Sequence, residues 1–289
     1  MPYYQIADIS MSVETSNQYI IDRLKTFLSQ DIGHADLTVE MQVQDDIQLP
    51  MGEIVSDEIT MKWIKKNSAQ GGYFAYLTTP TGRPIAAVDS DSHWTRCKVF
   101  YQGDIISSDV NVNPPDILSL QFLGIAFRNY ILFRDSVVLH ASCIEYQGKG
   151  IAFSAPSGTG KSTHVSLWEQ YKGGTRVIND DAPVIRMMDG KPILCGTPWS
   201  GSSDKYLNVN VPLTAIVILE RDSKNSIRFL NSAESVTGLL PRLLLPYHDA
   251  ELMELAISTF EKILAGTPVY HLKCRPDVEA VELVYQCIK

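Results

Sequence analysis

The stretch Ala155-Pro156-Ser157-Gly158-Thr159-Gly160-Lys161-Ser162-Thr163 is where residue type and spacing specify chemistry most sharply. The pattern GxxxxGK[ST] holds a polyphosphate. Its glycines let successive backbone N–H groups curl around phosphate oxygens, its lysine reaches the β and γ oxygens, and its hydroxyl ligates Mg²⁺. Gly160-Lys161-Ser162 fits and Gly158 adds a second flexible position, while Ala155 stands where the strict pattern opens with glycine. A small residue that ends a strand has no need of positive φ, so alanine leaves the loop feasible. The bland alternative is a Gly/Ser turn that happens to cap a helix. The strand–loop–helix context argues for the phosphate loop.

Asn179-Asp180-Asp181 follows, at the end of the apolar run RVIN. Phosphoryl transfer needs one carboxylate to help hold Mg²⁺ and another to take the proton of the acceptor hydroxyl, and two adjacent acids can divide that labour. Neighbours on a regular strand point to opposite faces, so the strand must end or bend here, which Pro183 favours. An acidic turn is the plain alternative. His140 is expected on the strand before the loop, near residues 156–158, where it would contact the γ-phosphate, orient a carboxylate, or simply fill the core. Gly196-Thr197-Pro198-Trp199-Ser200-Gly201 is turn-rich and either walls the acceptor site or is a structural turn. His34, His93, His164, His248 and His271 lie in no constellation and are given no role.

Several elements must position these residues. Residues 137–155 read as a hairpin around Gln147-Gly148-Lys149-Gly150, and the loop then opens a helix that Gly173-Gly174 ends. RVINDD and APVIRMM read as strands, and residues 211–221 as a strand buried on both faces by their continuous apolar run. The last third reads as mostly helical over 238–246 and 249–264, then a strand over 269–274 and a helix begun by Pro276-Asp277. Upstream, residues 16–29 and 56–66 read as short helices, and 71–79, 83–90 and 93–102 as strands. The spacing of Ile117, Leu120, Leu123, Ile125, Phe127 and Ile131 predicts a helix leading into the second half. Asn113-Pro114-Pro115-Asp116 marks the break, so the expected domains are 1–112, a smaller α+β recognition or assembly module, and 113–289, an α/β phosphate-loop domain with a mixed sheet.

Composition narrows the partners. The 289 residues suffice for two modest domains, and 45% hydrophobic with 20% charged residues is ordinary globular usage. A net charge of −8 argues against a large nucleic-acid or anionic-membrane footprint, and no apolar run is long enough for a membrane span. Five scattered cysteines without a CxxC pair suggest neither disulfides nor zinc. With no signal-peptide pattern in the first residues, a reducing cytoplasm is the expected compartment. Neither an NKxD base-reading motif nor an LSGGQ-type signature follows the loop, so regulatory GTPases and ABC ATPases are excluded.

Leu139-His140-Ala141-Ser142, the loop ending SGTGKST and the Asp180-Asp181 pair together resemble the C-terminal domain of HPr serine kinase/phosphorylase, whose fold is similar to the phosphoenolpyruvate carboxykinase nucleotide domain. The resemblance spans roughly residues 136–220. It implies an ATP- and Mg²⁺-dependent kinase acting on a hydroxyl of a peptide, protein or small molecule, and assembly into a homo-oligomer. It makes His140, Lys161 and Asp181 catalytic, Asp181 as the base, with Ser162 and Asp180 at the metal. The family's RGxGI-type segment is replaced by Ile193-Leu194-Cys195-Gly196-Thr197-Pro198-Trp199, which removes the glutamate tied to phosphorolysis. The rival classes are a nucleotide-binding sensor without catalysis and a carboxykinase-like enzyme, for which Arg221 and Arg242 would line an acid pocket.

Overall fold

The computed structural model describes residues 1–30, 33–58, 61–69, 71–103, 114–201 and 203–289. The chain is mixed α/β and forms two compact units, Met1–Phe133 with Pro246–Met253, and Arg134–Leu245 with Glu254–Lys289. The expected boundary at 112/113 lies outside the described residues.

In the first unit, strands β1 (Tyr3–Ile6), β2 (Ile9–Glu14), β3 (Leu37–Val43), β4 (Gly52–Asp57), β5 (Met61–Lys66), β6 (Tyr73–Thr78), β7 (Pro84–Ser90) and β8 (Arg96–Tyr101) make one mixed sheet in the order β1-β2-β3-β8-β7-β6-β5-β4. Helix α1 (Gln18–Leu24) is capped by the Asn17 side chain. Helix α2 (Pro115–Tyr130) has proline at its first position and buries Leu118, Phe122, Leu123, Ala126 and Phe127. It packs on β3, β7 and β8, so the helix expected to lead into the second half belongs with the first. Residues 56–66 are a further correction, since Met61–Lys66 is a strand between β4 and β6 instead of a helix. Cross-strand packing of Trp63 and Ile64, both buried, overrides the helical reading of the charges around them.

The segment Pro246–Met253 belongs to this unit, and His248 explains its seat. Its ring stacks on Trp63 at 3.6 Å between centroids and meets Tyr73 edge-on at 5.0 Å, with Trp94 at 6.3 Å. Burial in this aromatic cage disfavours the imidazolium and lowers the His248 pKa to about 4.

In the second unit, strands β9 (Ser136–Val138), β10 (Ala141–Tyr146), β11 (Lys149–Ser154), β12 (Arg176–Asn179), β13 (Val184–Met188), β14 (Lys191–Cys195), β15 (Asn210–Arg221), β16 (Ser226–Phe229) and β17 (Val269–Cys274) form a second mixed sheet. The β10–β11 hairpin turns on Gln147 and Gly148, both at positive φ (51° and 76°), the type I′ geometry whose twist suits a two-residue connection. Strand β15 lies between β11 and β17 and runs parallel to both, so three strands end at the same edge. Helices α3 (Lys161–Tyr171) and α6 (Val278–Ile288) cover one face. Ile151, Phe153 and Ala155 alternate along β11 to meet Val165 and Trp168 of α3 and Val281 and Val284 of α6. Helix α4 (Ser232–Leu239) brings Gly238 against Ile218, where a Cβ would fall 2.5 Å from the isoleucine side chain. Helix α5 (Ala250–Gly266) is shared by both units. Residues 238–246 are not one helix, because Pro241 converts the end of α4 to a 3-10 turn and Leu243 bridges back to Leu139. Among the described residues no helix is long and apolar enough to cross a membrane.

The caged histidine generates a pH prediction. Above about pH 6.5 the ring is neutral in both states and nothing is lost. As pH falls from there toward 4, the unfolded chain gains the proton first, and stability drops by about 1.4 kcal/mol per pH unit. Urea melts followed by tryptophan fluorescence should show this slope, and His248→Phe, which keeps a ring in the cage, should reduce it. An identical slope in the variant would show that His248 is not the group responsible.

Candidate active site

The loop between β11 and α3 takes its shape from two left-handed glycines, Gly158 (φ 75°) and Gly160 (φ 116°). Gly160 stands at the helix N-cap, where no side chain caps the first turn and no acid occupies it. The opening N–H groups of α3 are therefore free for an anion, and the helix dipole favours negative charge there. Ala155 is fully buried without positive φ, which is why alanine serves where the strict pattern has glycine.

Arg221, at the end of β15, braces this loop from outside. Its Nε donates to the Thr159 carbonyl at 2.8 Å and its Nη2 to the Gly158 carbonyl at 2.5 Å. With the Thr159 carbonyl turned to the guanidinium, the planar trans peptide aims the Gly160 N–H the opposite way.

Lys161 is 8% exposed. Its Nζ donates to the Ala155 carbonyl at 3.2 Å and lies 2.9 Å from His140 Nε2. His140 is not on a strand as expected. It occupies the break between β9 and β10, its N–H donating to the Arg242 carbonyl at 2.8 Å. Across the hairpin it falls beside Ser154, whose hydroxyl donates to its carbonyl at 2.9 Å, at the start of the loop, and it lines the same cleft as Ser157 and Gly158. Its Nδ1 lies 3.0 Å from Asp181 Oδ1. An ammonium has no acceptor, so Lys161 donates into Nε2, the ring proton of the neutral imidazole sits on Nδ1, and Nδ1–H donates to the carboxylate. Burial lowers the Lys161 pKa, while Asp181 and Asp180 act in the opposite sense.

Asn179 makes this arrangement possible, and the sequence reading gave it no role. Fully buried, its Oδ1 accepts from the N–H groups of Asp181 (2.9 Å) and Ala182 (2.8 Å). Its Nδ2 donates to the carbonyls of Thr197 (2.9 Å) and Trp199 (3.1 Å). The Thr197 hydroxyl donates in turn to the Ala182 carbonyl at 2.8 Å. This Asx turn stops β12 and bends the chain, so that both aspartates reach the cleft. The only sequence signal was an asparagine directly before the pair.

One cleft of about 360 Å³ is lined by His140, Ser157, Gly158, Gly160, Lys161, Ser162, Thr163, Asp180, Asp181, Ser200, Gly201, Ser203 and Arg221. Of the residues singled out in the sequence, Ala155, Pro156 and Thr159 are not on its wall. Their carbonyls instead receive Lys161, Thr159 N–H and Arg221. Ser200 and Gly201 place the 196–201 segment on the wall opposite the loop. Gly201 (φ 62°) approaches Asp181 so closely that a Cβ would sit 3.2 Å from its Cγ. Asp181 Oδ2 has no partner among the described residues, and the carboxylate is 39% exposed. Asp180 Oδ1 is buried with no partner either.

That orphaned oxygen and the exposed Ser162 hydroxyl, which line the same cleft, are hard-oxygen donors of the kind suited to Mg²⁺. Among the described residues no three His, Cys, Asp or Glu side chains form a metal cluster. The pair fits an ion that draws its remaining ligands from phosphates and water.

No family model matches the chain, and no curated protein does. Among solved structures it is similar to the Hpr(Ser) kinase/phosphatase from Coxiella burnetii, at 11% identity and a TM-score of 0.32 over 52% of this chain and 95% of that one.

The bend is testable by itself. Asn179→Ala leaves buried N–H and carbonyl groups without partners, each worth about 1–3 kcal/mol, and should destabilise the protein by about 3 kcal/mol in urea melts. A loss under about 1 kcal/mol would show that the Asp180-Asp181 bend stands without the amide. Gly201→Ala forces a side chain onto a left-handed φ of 62° and against Asp181, and should cost about 1–2 kcal/mol in the same melts.

Proposed function

We propose that the chain is an ATP- and Mg²⁺-dependent phosphotransferase that moves the γ-phosphate to a hydroxyl of a peptide, a protein or a small molecule. The observation that carries this reading is the relay from Lys161 through His140 to Asp181, which joins a phosphate-loop lysine to a carboxylate with one free oxygen inside one cleft. In this reading the polyphosphate lies over the N-terminus of α3, where the Gly160 N–H and the Lys161 ammonium meet its charge. Ser162 and Asp180 would hold Mg²⁺, which supplies further charge neutralisation at the β- and γ-phosphates.

The acceptor hydroxyl enters beside Asp181. Oδ2 takes its proton as the acceptor oxygen bonds to the γ-phosphorus and the bridging bond to the β-phosphate breaks, releasing ADP. His140 holds Oδ1 throughout and so fixes the direction in which Oδ2 points. Because the Lys161 ammonium donates into its Nε2, the imidazole keeps its proton on Nδ1, toward the carboxylate. The same lysine thus orders both the phosphate and, through His140, the base. Arg221 is engaged on loop carbonyls, which gives it a bracing part in this reading and speaks against the acid pocket of a carboxykinase-like enzyme.

Incubation with γ-labelled ATP, Mg²⁺ and peptide, protein and small-molecule hydroxyl acceptors tests the proposal. Asp181→Asn should lower turnover by about 10²–10⁴-fold with ATP affinity by calorimetry unchanged. Lys161→Ala should lose both affinity and turnover. Full turnover in Asp181→Asn would remove it as the base, and ATP binding with no transfer to any acceptor would favour the nucleotide-binding sensor.

A further inference from the structure

The wall of the cleft opposite the phosphate loop is made by chain that leaves one point and returns to it. On the way out, Asn179 Nδ2 donates to the Trp199 carbonyl at 3.1 Å. On the way back, Tyr206 bridges to the same Asn179, and Leu207 N–H donates to the Ile178 carbonyl at 2.9 Å. Lys205 adds a third tie, its Nζ donating to Glu169 Oε2 of α3 at 2.7 Å. A short excursion with both ends fixed at the end of β12 has to arch beside the Asp180-Asp181 bend that follows that strand. Gly201 and Asp204, at φ 62° and 56°, turn it. Gly201 then stands against Asp181, where a Cβ would fall 3.4 Å from Oδ2, the oxygen assigned as the base.

Among the described residues, the side-chain hydroxyls on the cleft wall belong to Ser157, Ser162, Thr163, Ser200 and Ser203. The first three lie in the phosphate loop and the first turn of α3, on the side given to the nucleotide. Ser200 is 1% exposed. Ser203 is the exposed hydroxyl of the far wall, in the same cleft as Asp181. Its Oγ donates to the Ser200 carbonyl at 3.2 Å and accepts from the Lys205 N–H at 3.3 Å. Both bonds are long for their kind, so little is lost when they are given up. A hydroxyl oxygen that accepts one bond keeps a second lone pair for a nucleophilic step.

We infer that Ser203 is a self-phosphorylation site: with no other acceptor bound, its hydroxyl takes the γ-phosphate of the ATP held in the same chain. Ser203 Oγ bonds to the γ-phosphorus, the bond from that phosphorus to the bridging oxygen breaks, ADP leaves, and the Ser203 proton passes to Asp181 Oδ2. The inference rests on the phosphotransferase reading above and adds a modification of the chain itself. Transfer is intramolecular because an arch tied at both ends to β12 serves the cleft of its own chain. A phosphate on Ser203 brings about −1.5 to −2 charge into the cleft of Asp180 and Asp181, which disfavours a second transfer there, so each chain takes one.

Intact-mass spectrometry with site mapping, after the full chain is incubated with Mg²⁺ and ATP and no added acceptor, tests this. Wild type should gain the mass of one phosphoryl group, mapped to Ser203, at a fractional rate that does not change with protein concentration. Ser203→Ala should lose the modification, and Ser203→Thr, which retains a hydroxyl, should keep it, with melting temperatures as the check that both variants fold. Asp181→Asn should slow it by about 10²–10⁴-fold, because the same base serves both reactions. A parallel incubation with γ-labelled ATP and the hydroxyl acceptors above separates the modification from transfer activity itself. Label on an added acceptor with none on the chain, label on the chain at another residue, or a fractional rate that rises in proportion to protein concentration would overturn intramolecular modification of Ser203 and leave the phosphotransferase reading standing. Label on neither chain nor acceptor would overturn both.

Discussion

An aspartate that follows another on an extended chain faces the opposite side of the sheet, so Asp180 and Asp181 share a cleft only because β12 is broken after Asn179. The buried amide of Asn179 makes that break. It takes both N–H groups that a continuing strand would offer to a neighbour, and it ties the bend to Thr197 and Trp199 across the sheet. The position of Asp181 decides which way His140 is aligned, and His140 decides where the Lys161 ammonium rests. Because the wall with Ser200 and Gly201 hangs from the same amide, the two sides of the cleft are set together.

The loop follows a complementary logic. Its N–H groups are useful to an anion only while unbonded, yet a loop of free N–H groups and two left-handed glycines has little to hold it in one shape. Arg221 supplies the restraint by binding carbonyls and leaving the donors alone. The helix behind the loop is anchored by Val165 and Trp168 in the core, so the end that faces the cleft stays where the strand delivers it.

Much of the second unit was legible because local patterns there agree with tertiary demands. The apolar run of residues 211–221 became a strand buried at its centre, Gln147-Gly148 a type I′ turn, and Asp277 a helix cap. The loop motif gave most of one cleft wall by spacing alone. What stayed hidden depends on partners distant in sequence. Asn179 gained its meaning from Thr197 and Trp199, and Arg221 from carbonyls about sixty positions earlier. In the first unit, the 56–66 segment misled because its lysines and glutamate suit a helix surface while Trp63 and Ile64 are claimed by cross-strand neighbours. His248 was unreadable for the same reason, since its cage is assembled from residues more than 150 positions away.

The central claim is that one cleft brings a polyphosphate and the Asp181 carboxylate together. The most direct measurement is a crystal structure of the chain with Mg²⁺ and a non-hydrolysable ATP analogue. The account predicts density for the β- and γ-phosphates over the N-terminus of α3, within hydrogen-bond reach of Lys161 Nζ, with the γ-phosphate facing Asp181 Oδ2. Phosphate density elsewhere on the chain, or a γ-phosphate pointing away from Asp181, would contradict it.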